Sequence, residues 1–177
     1  YFDIIESVKQ QLGIPISLKI SSHFTELASM IKKLSWTGIK GLILFNRFFS
    51  PDMDLDKKRI TATNMYSSPE EIAASLRWIA LMAGNVQCDL CASTGVHDGK
   101  GVAKQLLAGA HAVQMCSALY KNGIGYLAIV LDELKQWMAA NRHNSIDDFR
   151  GSMSHKMSDN PSAYHRVQFM KHFAGIE

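Results

Sequence analysis

The sequence predicts an α/β fold built as half of an eight-unit parallel βα barrel, and three observations lead there. Short apolar runs alternate with amphipathic helical stripes through most of the 177 residues, the rhythm of a parallel sheet with crossover helices. About four such units can be counted, half of what a closed barrel of ~250 residues contains. No strand run is followed by the G-x-G-x-x-G fingerprint of an open dinucleotide-binding sheet.

The elements follow in order. A helix comes first, with Ile5, Val8 and Leu12 on one face and Gly13 and Pro15 ending it. Residues 14–20 form a short apolar run that suits a buried strand. Leu27, Met30, Ile31 and Leu34, spaced i, i+3, i+4, i+7, mark the next helix. Residues 40–46 make the second strand. The connection over 47–66 exceeds the usual βα loop and carries a Pro51-Asp52 turn signal, so a lid or small hairpin is expected there. Ser68 and Glu71 then predict a capping box with Pro69 at the first helical position, and Ile72, Leu76 and Ile79 are the inner stripe.

The third strand spans 88–93, and the helix after it starts near Asp98 and closes at Gly109. The fourth spans 112–116. A longer helix over 125–141 turns Leu127, Val130, Leu131, Leu134 and Met138 inward. The tail holds a short helical turn, a polar stretch and a last helix near 163–173. Two domains are expected: 1–151 as the half-barrel, and 152–177 as a C-terminal tail.

Composition narrows the function classes. Hydrophobic residues make up 47% and charged residues 20%, an ordinary globular balance. A net charge of +3 with scattered lysines and arginines does not point to nucleic acid, and Lys57-Lys58-Arg59 reads as a solvated loop. No run approaches a membrane span, and the acidic opening Asp3 and Glu6 does not resemble a signal peptide. Three cysteines fit a reducing cytoplasm. The first residue is not methionine, so a fragment or processed product is expected.

In parallel barrels the chemistry sits at the carboxyl ends of the strands. That rule selects Lys19, Asn46, the Thr94-Gly95 turn and the Ser117-Ala118 turn. Gly95 lets backbone approach a ligand, and the helix beginning near Asp98 aims amide hydrogens at that turn. Two such turns at neighbouring strand ends suit a phosphate. Lys19 either stabilises negative charge at the barrel mouth or snorkels to water. Asn46 either binds a ligand or starts the long loop. Cys88 and Cys91, three apart on a strand, point to opposite faces and are not expected to hold metal or act as a redox pair. The seven histidines lack ligand spacing, and His97 reads as a surface residue beside the turn. Trp36, Trp78 and Trp137 are expected to pack on helix faces, and the methionines to fill the core.

The stretch Ala92-Ser93-Thr94-Gly95-Val96-His97-Asp98-Gly99, with Leu107-Ala108-Gly109-Ala110 and Val113-Gln114-Met115-Cys116-Ser117-Ala118-Leu119-Tyr120, resembles the closing half of dihydroorotate dehydrogenases. Leu134-Lys135-Gln136-Trp137-Met138, Asp148-Phe149-Arg150-Gly151 and Ile14-Pro15-Ile16-Ser17-Leu18-Lys19 are similar to that family as well. The resemblance implies the C-terminal half of a TIM (β/α)₈ barrel and an FMN-dependent oxidation of dihydroorotate to orotate in pyrimidine biosynthesis. FMN phosphate would sit on Thr94, Gly95, Ser117 and Ala118. Lys19 would lie against the flavin's pyrimidine edge, and Asn46 would bind flavin or substrate.

Two departures stand out. The family usually carries two glycines where this chain has Thr94-Gly95. Its glycine-rich loop before the third helix is replaced by Asn64-Met65-Tyr66-Ser67-Ser68. The family's general base has no counterpart, and its segment would precede Tyr1. Cys88, Cys91 and Cys116 are read as strand residues and so excluded from that role. Expected partners are a small-molecule substrate (dihydroorotate or an analogue) and a second copy or the absent N-terminal half. Two other readings stay open: a non-redox phosphate-binding assembly module, and a non-flavin barrel enzyme acting on a phosphorylated metabolite.

Overall fold

The structure, a computed structural model, describes residues 1–48, 50–62 and 64–165. Beyond His165 the expected last helix lies outside the described residues. The elements run α1 (Phe2–Gln11), β1 (Ser17–Ile20), α2 (Leu27–Ser35), β2 (Gly41–Leu44), β3 (Pro51–Asp54), β4 (Arg59–Ala62), α3 (Ile72–Met82), β5 (Asp89–Ala92), α4 (Gly99–Ala108), β6 (Ala112–Val113), α5 (Ser117–Asn122), α6 (Tyr126–Ala140) and α7 (Ser162–His165). β1, β2, β5 and β6 form one parallel sheet in that order. The fold is the expected α/β half-barrel, with each parallel strand followed by a helix.

Period-two alternation gives the sheet two unlike faces. Ile20, Leu42, Leu44, Leu90 and Ala92 are all 4% exposed or less and join Ile31, Leu34, Ile79 and Ala108 of the helices in the main core. Each large aliphatic chain buried there contributes about 1.5–3 kcal/mol. The other face presents Ser17, Lys19, Asp89 and Ala112 exposed and Ile43 and Cys91 half-buried. In a closed barrel such residues would stack in interior layers.

The first and fourth strands are shorter than their apolar runs. Residues 14–16 precede β1, and 114–116 follow β6 as irregular chain, although the Gln114 N–H still bonds the Ala92 carbonyl at 2.8 Å. The long connection contains the β3–β4 hairpin, antiparallel from Pro51↔Ala62 to Asp54↔Arg59, with exposed Lys57, Lys58 and Arg59 at its tip and on its return strand. Its outer surface is apolar, with Met53, Leu55 and Ile60 exposed.

Local signals act where they stand. The Ser68 N–H donates to Glu71 Oε1 at 2.8 Å in a 3₁₀ turn, Pro69–Glu71, that leads into α3. Asp98 caps α4 by accepting the Gly101 N–H at 2.7 Å, and Gly109 ends it at φ 113°. The following tail straps the helices. Phe149 is buried against Leu106 and Leu134, and the N–H groups of Gly151 and Met153 donate to Leu106 and Leu107 carbonyls at 2.9 and 3.0 Å.

Several packing expectations need correction. On α6, Val130 and Leu134 are buried, but Leu127 and Leu131 are exposed, because α4 and the tail cover only one side of that helix. Trp36 caps α2 and is largely exposed, at 61%, while Trp78 lies against the main core and Trp137 meets Phe149 at 5.0 Å. Among the methionines Met82 is core, whereas Met53, Met65, Met153 and Met157 are exposed.

Candidate functional site

The carboxyl ends of the four parallel strands enclose a cavity of about 640 Å³. Lys19, Asn46, Thr94, Gly95 and Ser117 all line it, together with Arg47, Ser67, Ser93, Gln114 and Cys116. Ala118 does not: it is buried at 1% exposure within the first turn of α5. A neighbouring cavity of about 400 Å³ shares Asn46, Arg47, Ser93 and Thr94 and extends to Ser22 and His23.

Lys19 lies on the uncovered face of β1, and its side chain runs across the sheet toward the loops after β5 and β6. Its Nζ donates to Ser93 Oγ at 3.0 Å and to Gln114 Oε1 at 3.1 Å. Among the described residues no carboxylate pairs with it. The cavity walls therefore carry two cations, Lys19 and Arg47, and no acid. Beneath Lys19, burial pushes the Cys91 thiol up, and the ammonium partly offsets that shift. Asn46 is exposed at the mouth, and its backbone N–H is anchored on the Ile20 carbonyl at 2.8 Å.

The Thr94-Gly95 turn explains why a glycine pair is expected there. Both residues are left-handed, at φ 81° and 77°. Thr94 tolerates this with its Oγ1 donating to the Phe45 carbonyl at 3.2 Å. At Gly95 a Cβ would stand 2.1 Å from the Ile72 nitrogen, so the turn is pressed against the start of α3. The N–H groups of Gly95 and Val96 donate to no acceptor among the described residues, which leaves two amides for a ligand at the cavity wall.

The segment 64–68, where the family's glycine-rich loop was expected, forms the opposite wall. Arg47 holds it: Nε donates to Glu71 Oε2 at 2.8 Å, and the guanidinium also reaches the carbonyls of Asn64, Met65 and Tyr66 at 2.9–3.4 Å. The hydrogen bond from Arg47, opposed in part by burial and helped by the Ser68 N–H, holds the Glu71 carboxyl below the usual range. Ser67 donates its N–H to Ser117 Oγ at 2.9 Å, and its own Oγ lies 3.0 Å from His97 Nε2. His97 is thus a half-buried partner of the wall rather than a surface residue.

The cysteines divide. Cys88 packs on the helix-side core and Cys91 on the opposite face, as the strand geometry requires. Burial, with the Asp89 charge second, pushes the Cys88 thiol up to about 11, so it stays protonated at neutral pH. Cys116 is no strand residue. β6 ends at Val113, and Cys116 sits exposed on the cavity wall just before α5, so strand placement cannot exclude it from chemistry. Among the described residues no group of three or more metal-ligating side chains converges, and no helix is long and apolar enough to cross a membrane.

The chain is thus a parallel βα half-barrel with two cations and two unbonded amides at its strand ends, the end at which barrels of this kind place their ligand sites. No family model matches the sequence. Curated relatives do. The catalytic subunit of dihydroorotate dehydrogenase B (NAD(+)) from Citrifermentans bemidjiense is 25% identical over 154 residues, 85% of this chain and 50% of that protein. That of Methanothermobacter thermautotrophicus is 26% identical over 155 residues, 85% and 51%. Dihydroorotate dehydrogenase A (fumarate) of Lacticaseibacillus paracasei is 26% identical over 138 residues, 75% and 47%. A crystal structure of DHODH from Eimeria tenella in complex with ferulenol aligns at TM-score 0.59 and 24% identity, over 76% of this chain and 37% of that one, a likeness of fold. The chain is similar to dihydroorotate dehydrogenases over most of its own length, and it spans about half the length of the curated relatives it matches.

Proposed function

We propose that this chain is the FMN-binding half of a dihydroorotate dehydrogenase-type oxidoreductase. One observation carries the reading: Lys19, Asn46, Thr94, Gly95 and Ser117, drawn from all four strand ends, line a single acid-free cavity. Its volume lies within the ~300–1,000 Å³ of cofactor sites. The donor set fits a flavin mononucleotide. Lys19, paired with no acid among the described residues, and the Asn46 amide would hold the isoalloxazine end. The free amides of Gly95 and Val96, the Ser117 hydroxyl and the backbone at Thr94 and Ala118 would hold the phosphate.

When bound, FMN supplies the hydride acceptance that oxidation of dihydroorotate to orotate requires. The chain's own part is to bind and orient. Lys19 brings positive charge to the cavity floor, with Ser93 and Gln114 holding its ammonium in place. The proton-abstracting base and the rest of the substrate pocket belong, in this reading, to a complementary half. The free edges of β1 and β6 and the uncovered sheet face favour association with that half or with a second copy. Residues 1–151 are the binding unit and 152–177 a tail. Three free cysteines fit a cytoplasmic enzyme.

The test is an absorbance scan of the purified protein, with and without added FMN, after desalting. Retained oxidised-flavin bands, lost in Lys19→Ala, are the expected result. A protein that stays colourless at saturating FMN would remove the flavin reading and leave a non-flavin phosphate site.

A further inference from the structure

Ser67 is 5% exposed, lines the cavity, and sits where a glycine-rich loop would offer only backbone. Three parts of the chain meet at it. Its N–H donates to Ser117 Oγ at the start of α5, its Oγ meets His97 Nε2 from the loop after β5, and Lys121 Nζ of α5 donates to its carbonyl at 3.5 Å. The hydroxyl has a single hydrogen, so the state of His97 decides where it points. With Nε2 bare, Ser67 donates to the imidazole. With a hydrogen on Nε2, the ring donates to Ser67, and the serine hydrogen is released to the cavity.

We propose that Ser67, oriented by His97, is a side-chain donor to the anionic end of the bound ligand, replacing the backbone donors of the missing glycine-rich loop. This rests on the phosphate-binding reading above. An anion in the cavity favours the arrangement in which Nε2 carries hydrogen, since only then is the Ser67 hydrogen free for it. Ser67 would touch the ligand, and His97 is a positioning residue that acts through it. The bond from the Ser67 N–H to Ser117 Oγ ties the two residues together on the wall of the same cavity.

The experiment compares FMN with riboflavin, which lacks the phosphate, by quenching of flavin fluorescence on the full chain. Ser67→Ala is expected to weaken FMN by ~10–100-fold, the cost of one hydrogen bond to a charged group, and to leave riboflavin unchanged. His97→Ala should weaken FMN in the same sense, and His97→Gln should recover most of it, because a side-chain amide can donate to Ser67. Riboflavin affinity reports whether each variant keeps its fold. If Ser67→Ala weakens FMN and riboflavin equally, or neither, the proposal is overturned while the flavin site stands. If the unmodified chain binds FMN no better than riboflavin, the phosphate reading itself fails, and this proposal with it.

Discussion

Replacing Gly95 with alanine tests the turn on which the candidate site depends. The residue is left-handed at φ 77°, and its missing Cβ would stand 2.1 Å from the Ile72 nitrogen and 2.6 Å from the Glu71 carbonyl carbon. Both neighbours are backbone, so no rotamer change can relieve the clash. The left-handed conformation costs about 1–2 kcal/mol for a residue with a side chain. Displacing packed backbone adds about 1–3 kcal/mol. A less flexible unfolded chain returns about 0.4–1 kcal/mol. The net loss is about 1–5 kcal/mol, a substantial share of the ~5–15 kcal/mol that holds an ordinary domain together. At a urea slope near 2 kcal/mol/M the unfolding midpoint falls by ~0.5–2 M, as followed by circular dichroism. The first turn of α3 must shift to admit the methyl, and Glu71 with the wall it braces shifts too, so FMN affinity should fall as well. A midpoint within ~0.3 M of the parent protein, with flavin binding unchanged, would show that the turn is not pressed against α3 and refute the reasoning.

Two other perturbations address the same wall. Thr94→Gly removes left-handed strain of about 1–2 kcal/mol, but also removes the hydrogen bond to Phe45 and adds unfolded-chain freedom, each about 1 kcal/mol. Stability should change little and FMN affinity by less than ~3-fold; a tenfold loss would make the Thr94 hydroxyl itself a ligand contact. For Glu71, the Arg47 hydrogen bond depresses the folded-state pKa, so its stabilisation is present above the unfolded-state value and is lost as pH falls through the folded one. Glu71→Gln should therefore be less stable than the parent at pH 7, by ~0.2–1 kcal/mol for a pair this exposed. The gap should close on acidification below the ordinary glutamate range, near pH 4.3. Equal urea midpoints at pH 7 would mean that the Arg47 clamp adds nothing.

The helical parts of the fold were readable because their information is local. Leu27, Met30, Ile31 and Leu34 mark α2, Ser68 with Glu71 marks the start of α3, and Asp98 with Gly109 brackets α4, each through groups within a turn or two. Strand ends were not, because an apolar run does not say where pairing stops: residues 14–16 and 114–116 look like strand and lie outside it. Leu127 and Leu131 share the apolar stripe of α6 but have no covering element among the described residues, and periodicity is silent about what arrives to cover a face.

The site was legible to the same depth and no further. Strand-end logic finds Lys19, Asn46, Thr94, Gly95 and Ser117 because each follows an apolar run directly. Alternation along β5 would have added Ser93, two residues past Cys91 on the same face, and one step past β6 would have added Gln114; these two hold the Lys19 ammonium. Arg47, Ser67 and His97 carry no such mark. Their partners come from chain 17–54 residues away, brought in by the return limb of the hairpin, the loop after β5 and α5. The two departures from the family pattern thus meet in one place. Thr94 keeps the glycine-like backbone at a cost in strain, and Ser67 stands where glycine would have offered an amide alone. The cavity that both points line carries donors and, among the described residues, no acid, which is the lining an anion would require.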